Sequence, residues 1–302
     1  MVKAMPPSGI PAWLRELYPF EPKVHNLNDG PGMSYIDHGA GESVLMLHGN
    51  PTWSFLYRNL VLDLADRGFR CIAPDHVGCG LSDKPRDYDY SLQKHVSNVT
   101  GLVKTLDPGR FHLVVHDWGG AIGCGMAVQD PEQILSLTIL NTAAFRSSRL
   151  PLRIAACRLP WLGEFMVRQF NAFAGAATFM AVRKPMPRDV KRGFLFPYDS
   201  WANRIATARF VQDIPMSPSH PSWNTLRSIE QQLPALSTKP IQMCWGMRDW
   251  CFSPEFLQRW KQIYPDAGVQ EFPDDGHYLL EDAGAEAITT IRSFLEGVRA
   301  SA

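Results

Sequence analysis

The chain has 302 residues, 45% of them hydrophobic and 20% charged, which predicts a folded protein with a sizeable core and excludes a disordered one. Lysine plus arginine and aspartate plus glutamate both number 30, so no net basic charge points to nucleic acid as a partner. No uncharged apolar run reaches the roughly 20 residues of a membrane span, and the N-terminal prolines and charges are unlike a secretory signal.

In chain order, short apolar runs alternate with stretches of helical periodicity, which predicts an α/β fold with a mostly parallel sheet covered on both faces. The predicted strands span residues 33–37, 43–47, 70–73, 111–115, 136–140, 241–245 and 269–272. The predicted helices span residues 53–66, 92–106, 121–129, 255–263 and 281–295. Ligands bind at the carboxyl ends of the strands in such sheets, so the segments that follow them are expected to form the site.

The pattern changes between residues 141 and 236, where no strand is evident and aromatic residues occur among helices interrupted by proline. We interpret residues 141–236 as a helical cap domain, inserted after the sixth strand into a core domain formed by residues 1–140 and 237–302. The cap is expected to lie over the strand ends, with some of its aromatic side chains lining an apolar cavity. The expected ligand is therefore a small apolar molecule.

Charge is unevenly distributed along the chain, because residues 146–230 contain 13 Lys/Arg and 5 Asp/Glu, against 17 and 25 in the rest. A solvated cap with a positive outer surface is the simpler interpretation. The same excess leaves open a docking surface for an acidic protein or an anionic lipid, or an interface in a homo-oligomer.

Six cysteines lack the spacing of metal or redox motifs, and without a secretory signal they predict free thiols in a cytoplasmic protein. Two of them, Cys71 and Cys244, fall in predicted core strands, where a thiol behaves as a small apolar side chain. We therefore expect no metal site and no cofactor.

A nucleophile is predicted at Asp117, which follows the strand 111–115 and precedes Trp118, two glycines and a helix. A strand, a sharp turn with small residues and a helix form the nucleophile elbow of α/β-hydrolases, where a serine usually stands at this position. A carboxylate instead suits attack on an sp3 carbon or a strained ring, which gives an ester between enzyme and substrate. The pattern therefore predicts alkyl transfer to the enzyme rather than esterase chemistry.

Two further residues complete the chain order of nucleophile, acid and histidine: Asp249 follows the strand 241–245, and His277 precedes the final helix. Asp117 is anionic near neutral pH and needs no base for the first attack. His277 is expected to activate the water that hydrolyses the ester, while Asp249 holds the imidazole in the required tautomer. The backbone N–H groups of Asn50 and Trp118 are expected to form the oxyanion hole.

The side chains of Asn50 and Trp118 add two neutral N–H donors beside the predicted nucleophile. Neutral donors can hold a departing halide without trapping it as a full positive charge could. Each has a structural alternative, since Asn50 could cap the following helix and Trp118 could pack in the core. Their place on either side of an aspartate nucleophile favours binding of the substrate and the halide.

Three segments, His48–Trp53, Asp75–Pro85 and Val115–Gly120, resemble the haloalkane dehalogenases, and the similarity extends over nearly the whole chain. The resemblance implies an α/β-hydrolase fold with a mostly parallel eight-stranded sheet and an inserted helical cap. An acid at Asp249 resembles the subfamilies that place it after the penultimate strand. Asn141 stands at the alternative position, after the sixth strand, and could not replace a carboxylate.

The resemblance also assigns roles to residues. The family's nucleophile, water-activating histidine, supporting acid and two halide donors fall on Asp117, His277, Asp249, Asn50 and Trp118. The implied reaction converts a haloalkane and water into an alcohol and a halide through a covalent alkyl ester on the enzyme. We expect this hydrolytic dehalogenation as the main function.

Two other reactions remain open. The β-lactone decarboxylases of long-chain olefin biosynthesis share this elbow with its tryptophan, and residues 141–145 and 171–174 resemble them as well. There the aspartate opens a strained four-membered lactone with two alkyl chains, and carbon dioxide leaves with an alkene. Epoxide hydrolases are a weaker alternative, because they use two cap tyrosines as proton donors and residues 141–236 contain only Tyr198. A catalytically silent scaffold is disfavoured, since every triad position is filled.

Overall fold

The computed structural model describes residues 9–27 and 30–301. The strands in this part of the chain are β1 (Lys23–Asn26), β2 (Gly32–Gly39), β3 (Glu42–Leu47), β4 (Phe69–Pro74), β5 (Phe111–Asp117), β6 (Ile134–Thr142), β7 (Ile241–Gly246) and β8 (Gly268–Phe272). They form one sheet in the order β1-β2-β4-β3-β5-β6-β7-β8, in which β2 pairs antiparallel with β1 and β4 and all other pairs are parallel. The predicted eight-stranded, mostly parallel sheet is confirmed.

The central strands are buried on both faces, and their sequences are accordingly near-continuous apolar runs. β1 is missing from the strands predicted above, and its position explains why. It is a four-residue edge strand whose one large apolar side chain, Val24, is 42% exposed. Such a short, half-solvated edge carries too little hydrophobic pattern to be recognised.

The α-helices of the described residues are α1 (Ala12–Leu17), α2 (Arg58–Ala65), α3 (Leu92–Leu106), α4 (Trp118–Ala127), α5 (Leu152–Cys157), α6 (Leu162–Phe170), α7 (Ala174–Met180), α8 (Arg188–Leu195), α9 (Ile205–Gln212), α10 (Trp223–Gln232), α11 (Pro254–Ile263), α12 (Leu279–Asp282) and α13 (Ala285–Ala300). Two predicted helices differ from this. The helix expected at 53–66 begins as a 3₁₀ turn, Ser54–Tyr57. The helix expected at 281–295 is divided into α12 and α13, because Gly284 has a φ of 49°.

The apolar core consists of one layer on each face of the sheet. Alternate residues of β3 belong to different layers, since Leu45 and Leu47 pack in one and Val44 and Met46 in the other. The first layer includes α3, α4, α10 and α11, and the second includes α1, α2, α8 and α13. The parallel strand ends are therefore held rigidly between two apolar layers.

Six helices, α5 to α10, lie between β6 and β7 in the chain, where the cap was expected. The last of them contacts the core layer, since Ile229 of α10 packs beside Gly125 of α4. The division into core and cap at residues 141 and 236 stays a prediction. Across residues 9–27 and 30–301, none of the helices combines the length and apolarity needed to traverse a bilayer.

Candidate active site

The turn between β5 and α4 presents Asp117 at the carboxyl end of the sheet. Asp117 has a φ of 51°, in a region of backbone conformation that residues other than glycine rarely adopt. The turn is also tightly packed, because a Cβ atom on Gly119 would lie 2.0 Å from the carbonyl oxygen of Leu47. The Thr142 hydroxyl donates a hydrogen bond to the Asp117 carbonyl and ties the turn to β6. This geometry is that of the predicted nucleophile elbow.

The Asp117 side chain is 6% exposed and is held by backbone donors. The Asn50 N–H donates to its Oδ1 at 2.7 Å, and the Trp118 N–H also donates to the carboxylate. Burial raises the pKa of Asp117 above the ordinary aspartate value, and the charge of His277 and these two N–H groups offset the rise only in part. A weakly solvated carboxylate facing two fixed donors is a suitable nucleophile, and the two donors lie where the expected oxyanion hole requires them.

The loop after β3 positions the Asn50 donor, and His48 holds that loop. His48 Nδ1–H donates to the Gly49 carbonyl at 2.7 Å, and its Nε2 accepts from the His76 N–H at 3.0 Å. Burial lowers the pKa of His48 well below its ordinary value, so the ring is neutral and can both donate and accept. The histidine before Gly49 is therefore a structural support for the donor.

His277 lies between the two carboxylates. Its Nδ1–H donates to Asp249 Oδ2 at 2.8 Å, and its Nε2 lies 3.6 Å from Asp117 Oδ2. Burial alone lowers the pKa of His277, but Asp249 and Asp117 outweigh it and raise the pKa above the ordinary histidine value. Phe252 stacks on the imidazole with ring centroids 5.6 Å apart, and His116 Nε2–H donates to the His277 carbonyl at 2.9 Å. The ring is thus fixed in orientation and in tautomer.

Asp249 is 3% exposed and is held from two sides. Asn141 Nδ2 donates to its Oδ2 at 3.0 Å, and the Cys251 N–H donates to its Oδ1 at 2.7 Å. Asn141 is fixed in turn by two bonds with Gly246, whose N–H donates to Asn141 Oδ1 at 2.8 Å. Asn141 therefore supports Asp249 from the end of β6, 108 positions away in the chain.

The two predicted side-chain donors have different surroundings. Asn50 Nδ2 donates to the Thr207 carbonyl of α9 at 3.1 Å, while its Oδ1 has no partner in the described part of the chain. Trp118 is half-buried and contacts Phe210 edge to face, with centroids 5.3 Å apart. One N–H of the Asn50 amide thus joins the loop to α9, and its second N–H and the Trp118 indole are available to a ligand.

A cavity of about 540 Å³ lies over these residues, and Asn50, Asp117, Trp118 and His277 line it. Its remaining wall is mostly apolar and includes side chains of α5 and α7. Tyr198 is not part of this wall; its hydroxyl donates to the Thr52 carbonyl at 3.3 Å. The one cap tyrosine therefore does not supply the proton donor that epoxide hydrolysis needs.

The structure brings all five predicted site residues together. Four of them line the cavity, and the fifth, Asp249, is buried behind His277. Sequence reasoning missed the supporting contacts of Asn141, Thr142 and His116. A signal existed for Asn141, which ends β6 beside the expected acid position, whereas His116 and Thr142 carry none.

Comparisons with known proteins give the family of the chain and two groups of similar proteins. The family model of the alpha/beta hydrolase fold matches residues 42–284. A cis-3-alkyl-4-alkyloxetan-2-one decarboxylase of Shewanella oneidensis is 47% identical over 290 residues, which cover 93% of this chain and 90% of that protein. Haloalkane dehalogenase 2 of Mycobacterium bovis is 30% identical over 284 residues, which cover 89% and 92%. The crystal structure of an ancestral haloalkane dehalogenase has a TM-score of 0.83 at 25% identity and covers 92% of this chain and 99% of its own.

The predicted resemblance to both groups and the predicted α/β-hydrolase fold are confirmed. The order of preference between the two reactions changes, since identity to the decarboxylase is 47% and identity to the dehalogenase is 30%. The chain belongs to the alpha/beta hydrolase family, and it is similar to cis-3-alkyl-4-alkyloxetan-2-one decarboxylases and, at lower identity, to haloalkane dehalogenases.

Proposed function

We propose that the protein decarboxylates β-lactones with alkyl groups on ring carbons 3 and 4, and releases an alkene and carbon dioxide. The observation that carries the proposal is a buried carboxylate, Asp117, on the floor of an apolar cavity of about 540 Å³. The 47% identity to a decarboxylase over 93% of the chain supports this choice between two reactions that share the same floor. Nearly apolar walls suit a substrate whose bulk is two hydrocarbon chains.

The reaction can be written with Asp117 as its nucleophile. An oxygen of Asp117 attacks ring carbon 4, the bond from carbon 4 to the ring oxygen breaks, and the substrate is held as an alkyl ester with a free carboxylate on carbon 3. The bond between carbon 3 and this carboxylate then breaks, its electrons form the double bond, and the ester oxygen leaves as the Asp117 carboxylate. Carbon dioxide and the alkene are released, and no water or proton is consumed.

The stereochemistry follows from these two steps. Displacement inverts carbon 4. The elimination then requires an antiperiplanar arrangement of the two breaking bonds, from carbon 3 to the carboxylate and from carbon 4 to the ester oxygen. A lactone with its alkyl groups cis, as in the substrate that names the similar decarboxylases, therefore gives a cis alkene.

The surrounding donors suit the charge that develops. In the first step negative charge moves to the former ring oxygen, and the Trp118 indole and the free N–H of Asn50 are placed to stabilise it. His277, with its raised pKa, adds positive charge beside both carboxylates when protonated. Its role here is electrostatic, whereas dehalogenation requires it as a base toward water.

Hydrolytic dehalogenation is the second candidate, and Trp118 is the observation that favours it. The indole N–H and the Asn50 amide flank Asp117 as halide donors would, and the ancestral protein whose crystal structure is similar is a haloalkane dehalogenase. The same nucleophile would form an alkyl ester with a bromoalkane, which His277 and water must then hydrolyse. The two reactions differ in whether water is consumed.

One preparation assayed on two substrates tests the proposal. We expect a cis-dialkyl β-lactone to give cis alkene and carbon dioxide, detected by gas chromatography, much faster than 1-bromobutane or 1,2-dibromoethane gives bromide. Asp117→Asn serves as the inactive control. Rapid bromide release with no alkene would reject decarboxylation in favour of the second candidate.

A variant of one donor refines the comparison. Trp118→Phe keeps the ring bulk and removes the N–H, so bromide release should fall by about tenfold or more through loss of a hydrogen bond to an anion. Unchanged bromide release would mean that Trp118 only packs against Phe210.

A further inference from the structure

The cap carries an exposed apolar surface that packing does not explain. Eight of the eleven large hydrophobic side chains exposed in the described residues lie between positions 152 and 179, and Trp201 contacts one of these eight. We call this surface the apolar patch and define it as Leu152, Leu159, Trp161, Leu162, Phe165, Met166, Phe170, Phe179 and Trp201. Such a concentration on a folded protein marks a binding surface.

Trp161 is the most exposed member of the apolar patch, at 91%. The backbone holds it there in a tight turn, since the Leu162 N–H donates to the Pro160 carbonyl at 2.6 Å and Trp161 has φ 61° and ψ −55°. A three-residue turn with positive φ at its centre is rare and strained. Strain of this kind persists where function uses it, and here it keeps an indole ring in solvent.

The surroundings of the apolar patch are basic. Residues 146–192 contain ten Lys/Arg and two Asp/Glu. Over residues 9–27 and 30–301, neither Arg153 nor Arg158 is paired with a carboxylate. Exposed tryptophan and phenylalanine among arginines are the composition that binds the interface of an anionic bilayer, where rings enter the headgroup layer and cations meet phosphates.

One member of the apolar patch, Leu152, lies between two residues that line the cavity, Pro151 and Arg153. Arg149 and Arg153 are both exposed and line the cavity, so its mouth lies beside the start of α5. Ile154 and Cys157 carry the cavity wall along the same helix. A hydrocarbon chain could therefore pass between the apolar patch and the floor at Asp117 without crossing bulk water.

We propose that the apolar patch docks the protein onto the surface of an anionic lipid bilayer, with the mouth of the cavity facing the lipid. Trp161 and Phe170 enter the headgroup region, and Arg153 and Arg158 contact lipid phosphates. The attachment is interfacial and reversible. The passage of lactone and alkene between bilayer and cavity rests on the proposed function, whereas the docking itself does not.

Flotation of the full chain with vesicles tests the docking. We expect the protein to float with vesicles of equimolar phosphatidylcholine and phosphatidylglycerol, more than with phosphatidylcholine alone, and less at high salt. Trp161→Asn should weaken partitioning by about tenfold, the effect of removing one large apolar ring from the interface. The melting temperature should change little, because the Trp161 side chain is 91% exposed and asparagine is among the residues enriched at positive φ. Val24→Ser, which removes an exposed apolar side chain outside the apolar patch, is the matched control.

Two outcomes would overturn the proposal: wild-type protein that fails to float with the anionic vesicles, or equal partitioning of Trp161→Asn and Val24→Ser. A dimer in sedimentation velocity that Trp161→Asn dissociates, without vesicle binding, would show that a second copy covers the apolar patch instead.

Activity separates this proposal from the proposed function. Asp117→Asn should bind vesicles like wild type and have no turnover, and Trp161→Asn should keep its turnover of a short-chain β-lactone in vesicle-free buffer. Vesicle binding without alkene formation by the wild type rejects the proposed function alone. Alkene formation without vesicle binding rejects the docking alone.

Discussion

On the floor of the cavity Asp117 and Asp249 are 6% and 3% exposed and receive hydrogen bonds from fixed donors, whereas on the outside of the cap Trp161 and Phe170 are 91% and 63% exposed. Burying charge costs free energy unless donors compensate, so the floor is built around satisfied polar groups. Exposing large rings costs free energy unless a partner covers them, so the outer cap indicates a partner. The floor thus indicates the chemistry of the protein, and the outer cap indicates the surface to which the protein binds.

The same comparison explains why two reactions remained open from the sequence. The residues of the floor resemble those of both decarboxylases and dehalogenases. The floor therefore predicts alkyl transfer to a carboxylate but does not distinguish the two reactions. The cap contributes the rest, because it shapes the cavity that must accept either two hydrocarbon chains or a small haloalkane. The following experiments change the floor and measure whether the two reactions respond differently.

The largest effect is expected from Asp117→Asn. Removal of the nucleophile should lower both alkene and bromide formation by about 10⁴-fold or more, as loss of a covalent catalytic group does. Alkene formation is followed by gas chromatography and bromide by ion-selective electrode. Alkene formation by Asp117→Asn at the wild-type rate would exclude the ester intermediate and, with it, a catalytic role for Asp117.

His277→Phe should separate the two reactions. Bromide release should stop after one turnover, and the intact mass should increase by one alkyl group, because no base activates water to cleave the ester; general bases contribute about 10²–10⁴-fold. Alkene formation should persist at a reduced rate, since its second step uses no water. Equal losses in both assays would mean that decarboxylation also depends on a base.

Asn141→Leu should reduce turnover by about tenfold to a hundredfold, because Asp249 then loses a buried donor at a cost of about 1–3 kcal/mol. The matched control is Asn98→Leu, which removes a buried amide that donates to the Tyr88 hydroxyl and does not line the cavity. The comparison uses kcat alongside the free energy of unfolding. If both variants lose stability equally and neither loses kcat, Asn141 has only a structural role.

The smallest effect is expected in the pH profiles. The pKa of His277 is raised above its ordinary value of 6.5, so neutral imidazole becomes available only above that pKa. Bromide release should therefore rise with pH through a midpoint above 6.5, whereas alkene formation should not follow this rise. Parallel profiles for the two products would contradict the electrostatic role of His277 in decarboxylation.

Much of the floor could be predicted because its residues sit next to strong local patterns. Asp117 and Asp249 follow buried apolar strands, and parallel strands bring their carboxyl ends to one edge. His277 could be predicted from chain order. The division of the last helix at Gly284 could not, because helical periodicity continues on both sides of that residue.

Contacts between distant parts of the chain lay beyond the sequence. Asn141 and Asp249 are 108 positions apart, and Asn50 and Thr207 are 157 apart, so no local pattern couples them. The basic excess of residues 146–230 could be counted, but only the structure shows that large apolar side chains are exposed within it. Periodicity assigns such side chains to a core by default.

The bond from the Asn50 amide to the Thr207 carbonyl has a consequence for protein engineering. The residue proposed to supply an oxyanion donor is anchored to α9, so we expect that a cap exchanged as an independent module would displace this donor. A graft that folds well but shifts α9 should disturb transition-state stabilisation and lower kcat, even when the substrate still fits. Designs that alter substrate range should therefore keep α9 with the catalytic core and vary α5 to α7.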